Sequence, residues 1–356
     1  MARAHPPGFR PEPPTPADLV AWPDGFGTRF TVFVDTEEGF DWTAPLARTG
    51  HSLEAVTALP EAHRRFADQG VPLTYMVDHP IATDARAGDI LRGLLADGVS
   101  AVGTQLHAWV NPPFDEALTP ANSYAGNLRE ATEAAKLDAL GAAIEAAFGR
   151  RPVAYRAGRY GIGPATLRLL AARGYRLDSS MRARYRYDAD GGPDFGAIGN
   201  AAFRCGPDKA IVELPLTTVF TGRLRWGGAR LYDALGRVPK ARGLAARLGF
   251  LARVALTPED MPLADALEAI AVAVGEGVRV LNFAFHSPSL APGHTPYVRD
   301  AADLACFHRW WRAVLADLDR RGIRAASLDA LIAAAACATP CHRAPLSANG
   351  GDRWGL

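Results

Sequence analysis

Short apolar runs rich in β-branched residues alternate along this chain with longer segments whose apolar positions recur every three or four residues. The first pattern is that of buried strands, the second that of helices packed on one face. Strands are expected at Phe30–Val34, Val71–Val77, Val99–Val102, Pro152–Tyr155, Tyr175–Leu177, Ile211–Thr218 and Val278–Phe285. Pro215 marks the Ile211–Thr218 run as an edge strand or a bulge. Helices are expected at Leu53–Gln69, Ala87–Ala96, Asn127–Phe148, Pro164–Arg173, Ala264–Gly275 and Ala301–Arg321. Gly149 and Gly174 stand just past two of them, where a left-handed residue stops a helix. Each strand–helix unit spans a few tens of residues, which favours parallel strands joined by crossover helices.

This pattern divides the chain into a Pro-rich arm (1–27), one α/β domain (28–336) and a tail (337–356), with no internal repeat. Segments 182–210 and 219–256 are less regular and are expected to form long loops or small inserted helices over one face. The length suits a single α/β barrel.

Composition narrows the function classes. A net charge of +1 gives no electrostatic case for nucleic acid. The four cysteines form no CxxC pair, and Cys337–Cys341–His342 sits in the tail, so neither a disulfide framework nor a thiolate zinc site is expected. No run reaches transmembrane length and the N-terminus lacks a signal-peptide core, so the expectation is a soluble cytoplasmic protein.

The chemistry gathers at strand ends. Phe30–Val34 runs into Asp35, Glu37 and Glu38. Asp35 and Glu37 alternate on extended backbone, about 7 Å apart on one face, so one could hold a metal while the other handles a proton; a solvated acidic turn is the plainer alternative. Gln105 and His107 share a face after the third strand, beside Trp109, a residue suited to a sugar-stacking wall. Arg156 directly follows an apolar strand and is favoured over Arg159 as a carboxylate partner. His286 closes the most apolar strand, where an imidazole suits acid–base work. Asp178 ends another strand and could raise the pKa of such an imidazole, or could cap a helix. In α/β barrels the C-terminal strand ends converge on one face, so these residues could share a pocket.

In order and placement these residues resemble the polysaccharide deacetylase family with the NodB homology domain, carbohydrate esterase family 4, and most of all its WalW-type branch associated with bacterial polysaccharide gene clusters. The resemblance runs from about Phe30 to Ala336 and implies a distorted (β/α)7 or eight-fold barrel. It implies Asp35 as base, Glu37 as metal ligand, Arg156 as the residue that orients Asp35, Asp178 as the acid of the fourth motif, and His286 as the acid that protonates the leaving amine. The family's paired metal histidines fall on Gln105 and on Trp109, with His107 between them. That leaves Glu37 and His107 as ligands and Gln105 as a poor third, with His79 and Glu38 as the other candidates. Trp109 and Tyr160 are the expected substrate walls.

The activity implied is metal-dependent removal of an N-acetyl group from an amino sugar in a polysaccharide or its precursor. Zinc is the first choice of ion, then manganese, cobalt or nickel; an amide in place of imidazole weakens zinc and relatively favours harder ions. The competing readings are a C–N hydrolase acting on a small amide or imide, and a catalytically silent glycan-binding barrel.

Overall fold

The computed structural model describes residues 8–41 and 44–337. Eleven strands are formed among them: β1 (Arg29–Thr36), β2 (Leu73–Val77), β3 (Ala101–Leu106), β4 (Ala154–Ala157), β5 (Leu177–Asp178), β6 (Phe203–Cys205), β7 (Ile211–Glu213), β8 (Thr218–Thr221), β9 (Ala252–Ala255), β10 (Val280–His286) and β11 (Arg324–Ala325). The helices are α1 (Leu59–Ala67), α2 (His79–Thr83), α3 (Ala85–Leu95), α4 (Glu130–Phe148), α5 (Thr166–Ala172), α6 (Gly228–Gly236), α7 (Ala241–Arg247), α8 (Leu263–Gly275), α9 (Ala301–Arg320) and α10 (Leu328–Cys337).

The main sheet runs β10-β1-β2-β3-β4-β5-β7-β6, parallel except for β6, with β11 beside β1. It curls into a half-barrel. Asn282 of β10, at one end of this order, reaches Ser179 Oγ (2.9 Å) and Leu214 O (3.0 Å) at the other. Alternation within each strand sorts side chains into two layers. Phe30, Val32 and Val34 meet the helices, whereas Phe33 shares the barrel interior with Met76, Ala154, Val212 and Ala284, and α10 covers this second cluster.

Gly149 ends α4 at φ 73°, and the six expected helices are all present with ends shifted by a few residues. The Ile211–Thr218 run does not form one strand. Pro215 has no N–H for the ladder, so β7 stops at Glu213 and Thr218 begins a separate antiparallel pair, β8 with β9. That pair carries α6 and α7 outward from the barrel.

Residues 8–27 pack on the barrel, where Phe9 O accepts from Asp194 N and Gly27 O from Arg279 Nε. Leu19 bridges to Phe203, and Trp22 stacks on Phe26 against the interior cluster. Cys337 ends α10 as an exposed thiol, while Cys341 and His342 lie outside the described residues. Among the described residues no helix is long and apolar enough to cross a membrane.

Candidate active site

β1 and β10 lie side by side in register, which sets Asp35 opposite His286. Asp35 follows Phe33 on the interior face, and Asn282, Ala284 and His286 take the matching face of β10. Asp35 Oδ1 accepts from Arg156 Nη1 at 2.5 Å, and Oδ2 stands 3.8 Å from His286 Nε2. The guanidinium is itself fixed: Nε donates to Ser179 O and Nη2 to Ser179 Oγ, both at 3.0 Å. Arg156 is one of the largest fully buried side chains described, and its charge is matched by Asp35 as a buried charge requires.

His286 is held on its other side by Glu259. Nδ1 and the Glu259 carboxylate meet at 2.7 Å, while the His286 backbone N–H and Ser289 Oγ donate to the second oxygen. Burial alone would push this imidazole down, but Glu259, then Glu37 and Asp35, outweigh it and hold it at about 10. The acid beside His286 is thus Glu259, where the sequence had offered Asp178.

Asp178 does not enter the pocket. Strand alternation turns it to the helix-facing side, opposite Leu177, where it pairs in register with Glu213 of β7. Burial, with the neighbouring Asp178 charge, raises the Glu213 carboxyl well above its ordinary value. Burial raises Asp178 to about 6. It forms a layer beneath Arg156 and Ser180.

The second group surrounds His107. Its Nδ1 meets Glu38 Oε2 at 3.0 Å, Trp109 Nε1 donates to Glu38 Oε1 at 3.1 Å, and Trp109 stacks on the imidazole at 4.3 Å. Glu38 and Asp78 together with His107 bring ligand atoms within 4.8 Å of one another, a set that could hold an ion. Each carboxylate oxygen in that set already has a donor, however: Asp78 takes the Glu38 and Ile81 backbone N–H groups, and Glu38 takes Trp109 and His107. Such an outer carboxylate orients a ligating histidine. His107 Nε2 then faces the cavity, 3.3 Å from Glu37 Oε2.

Glu37 and His107 fit as ligands of one divalent ion. Two donors on a tetrahedral zinc with bonds of about 2.0 Å stand roughly 3.3 Å apart. Gln105 Nε2 lies 2.8 Å from Glu37 Oε2 and 3.1 Å from His107 Nε2, and its Oε1 has no partner. With the amide turned over, that oxygen would serve such an ion as a weak third donor. Burial raises the Glu37 carboxyl, and Glu38 with Glu37 outweighs burial to raise the His107 imidazole.

Gly158 permits the close approach of the β4 loop: a Cβ there would meet His107 Cδ2 at 2.4 Å. Beyond it Arg159 and Tyr160 take positive φ (52° and 59°), an uncommon conformation for such residues, and both line the cavity. Lys136 of α4 ties the next loop from below, donating to Ala108 O, Asn111 O and Pro113 O.

The resulting cavity encloses about 270 Å³. Asp35, Glu37, Gln105, His107 and His286 reach it, with Arg156 just behind Asp35. Its walls are mostly aromatic, with Phe40, Tyr124, Tyr160, Tyr187 and Tyr297, and also carry Arg182 and the pair Arg159 and Asp190. A second hollow of about 550 Å³ shares Phe40, Trp109 and Arg159 with it. Trp109 is only 2 % exposed, with one face on His107, so it acts as a prop for the imidazole more than as an open stacking wall. His79 opens α2 and stays outside the cavity.

No family model matches the sequence, and no curated protein aligns with it. Likeness lies in three dimensions. A candidate polysaccharide deacetylase from Mycobacterium smegmatis superposes with a TM-score of 0.51 at 20% identity, covering 91% of this chain and 95% of its own. The overlap shows the fold. The peptidoglycan deacetylase PdaC of Bacillus subtilis overlaps more loosely (TM-score 0.40, 11% identity, 88% and 94% covered), as does the chitin deacetylase of Colletotrichum lindemuthianum (0.32, 15%, 49% and 60%).

Proposed function

We propose that the chain is an N-deacylase of amino sugars, of the polysaccharide deacetylase type and its WalW-like branch. The observation that carries this reading is the pair of fixed couples, Asp35 with Arg156 and His286 with Glu259, facing each other across 3.8 Å at the cavity floor. One couple is anionic at its tip and the other cationic. That is the arrangement needed to take a proton from water on one side of an amide and give one to nitrogen on the other.

In the reaction, a water oxygen bonds to the acyl carbon and Asp35 takes its proton. Arg156 holds Asp35 in line and balances its charge. The C–N bond then breaks, the electron pair stays on nitrogen, and His286 Nε2 donates the proton that completes the amine. The products are a carboxylate and a free amino sugar. Glu259 keeps His286 protonated and aimed at the cavity. A divalent ion held by Glu37, His107 and Gln105 would lower the pKa of water and polarise the carbonyl. Tyr160 and Tyr187, stacked at 5.6 Å, offer flat apolar faces for a sugar ring, and Arg159 and Arg182 offer donors to its hydroxyls.

A second reading rests on Gln105. Its amide already bridges Glu37 and His107 with hydrogen bonds, the service an ion would perform, which suits a silent glycan-binding barrel. Acetate release from N-acetylglucosamine oligomers, compared with acetate release from simple acetamides and with ring opening of cyclic imides, each in the presence of zinc or manganese, tests the assignment. Preference for the oligomers supports it. Turnover of the small amides alone moves the chain to the other C–N hydrolases, and sugar binding without turnover supports the silent barrel.

A further inference from the structure

The β8–β9 pair carries a helical flap, residues 222–251, whose surface is unlike that of the barrel. Of the ten large apolar side chains exposed among the described residues, six lie here: Leu224, Trp226, Val238, Leu244, Leu248 and Phe250. Trp226 is 80% exposed. Helix α6 buries none of its residues and α7 only Ala245. The apolar groups are neighbours. Leu224 N bonds Phe250 O at 2.7 Å, Trp226 follows two residues on, and Leu244 and Leu248 are one helical turn apart on the same face.

Charge accompanies them. The flap holds seven basic residues and one acid, Asp233, in a chain whose net charge is +1. Arg242 pairs with Asp233, which also binds Arg186 of the barrel. The other six, Arg223, Arg225, Arg230, Arg237, Lys240 and Arg247, form no ion pair among the described residues. Long basic side chains around aliphatic groups and an exposed Trp make an interfacial surface: the apolar tips enter the acyl boundary while the charges stay at headgroup level.

We infer that the 222–251 flap docks the protein on an anionic lipid surface. Charge complementarity selects this occupant. A second copy would set the same basic surface against itself, and a nucleic acid would leave the leucines with no apolar partner. The flap is joined to the cavity wall by a ladder of stacked groups: Arg182 over Tyr185 (3.8 Å), Arg253 over Tyr185 (3.5 Å) and over Tyr232 of α6 (4.9 Å). Docking there holds the cavity, which Arg182 lines, close to the bilayer, where a lipid-borne substrate would be met.

Co-sedimentation of the full chain with vesicles of phosphatidylcholine, alone or mixed with phosphatidylglycerol, tests this without reading any chemistry, so failure of the deacylase reading would leave it standing. The protein is expected to sediment with the anionic vesicles and not the neutral ones, and rising salt should release it. The triple variant Arg225→Glu, Arg237→Glu, Arg247→Glu should weaken binding roughly tenfold or more, and Trp226→Ser should weaken it at every salt concentration. Unaltered melting curves would show both variants folded, and the salt titration of the wild type needs no variant. Equal partition onto both vesicle types, binding to neither, or a dimer that Trp226→Ser dissolves would each overturn the inference.

Discussion

Asp35 Oδ2 and His286 Nε2 face each other at 3.8 Å because they are register partners on adjacent parallel strands. The separation is too long for a hydrogen bond, so each group is held by its own partner, Arg156 or Glu259, and both line the cavity. A base and an acid held apart by separate anchors can act on opposite sides of one bond.

In the proposed mechanism the Glu259 anchor sets the alkaline limit of activity. His286 must be protonated to act as acid, so the rate falls as pH rises through its pKa, which Glu259 helps lift to about 10. Glu259→Gln removes that charge and should move the alkaline limb to lower pH, with the acid limb unchanged. Rate profiles of wild type and variant check this; coincident alkaline limbs would count against His286 as the acid.

Arg156 should matter for stability as well as rate. Arg156→Met leaves Asp35 as a buried charge without its partner, expected to cost about 3–5 kcal/mol. Adding Asp35→Asn should restore part of the loss, because no buried charge remains. Denaturant unfolding of the two singles and the double gives the coupling; simple additivity would mean that the 2.5 Å pair contributes little.

The proposed ligands of a divalent ion, Glu37, His107 and Gln105, can be separated from their supports. Gln105→His should tighten zinc roughly tenfold or more, since imidazole is a better zinc ligand than an amide. Glu38→Gln should loosen it by a similar factor, because His107 Nδ1 loses its charged partner. Calorimetric titration with zinc and manganese reads both. An ion held by Glu38 and Asp78 would instead leave Gln105→His without effect.

Outside the cavity lining, burial raises Glu133 of α4, which accepts from Thr166, to about 7. In the unfolded chain it titrates near its ordinary value, so between those two pKa values the folded state binds the extra proton. Stability therefore falls as pH rises across that window, by on the order of 3 kcal/mol in total. Glu133→Gln should flatten this slope and be the more stable protein at pH 8. Unfolding curves across the range would show it.

Much of the barrel was legible because a period of two and a period near 3.6 survive in the sequence wherever one face is buried. The same alternation explains the misplaced residue. Asp178 ends a strand as Asp35 does, yet it stands at the opposite parity relative to its interior neighbour, Leu177, and a strand of two residues gives too little pattern to read that. Glu259 escaped notice because it follows β9, a strand within the segment read as irregular; an acid-rich turn, Thr257-Pro258-Glu259-Asp260, was the one signal available. The cavity walls from Tyr124, Arg182, Tyr187 and Tyr297 come from loops whose course depends on long-range contacts. Lys136, within a helix, is buried because it donates to three loop carbonyls, contacts that its place in the sequence does not signal.

Acetate release from N-acetylglucosamine oligomers by wild type and by Asp35→Asn, each loaded with zinc or manganese, tests the central claim most directly. The expected result is turnover by the wild type with one free amine formed per acetate, and a loss on the order of 10²–10⁴ in rate for Asp35→Asn with the fold intact, the range a positioned base supplies. Release by Asp35→Asn at the wild-type rate, or none from either protein despite measured sugar binding, would contradict it.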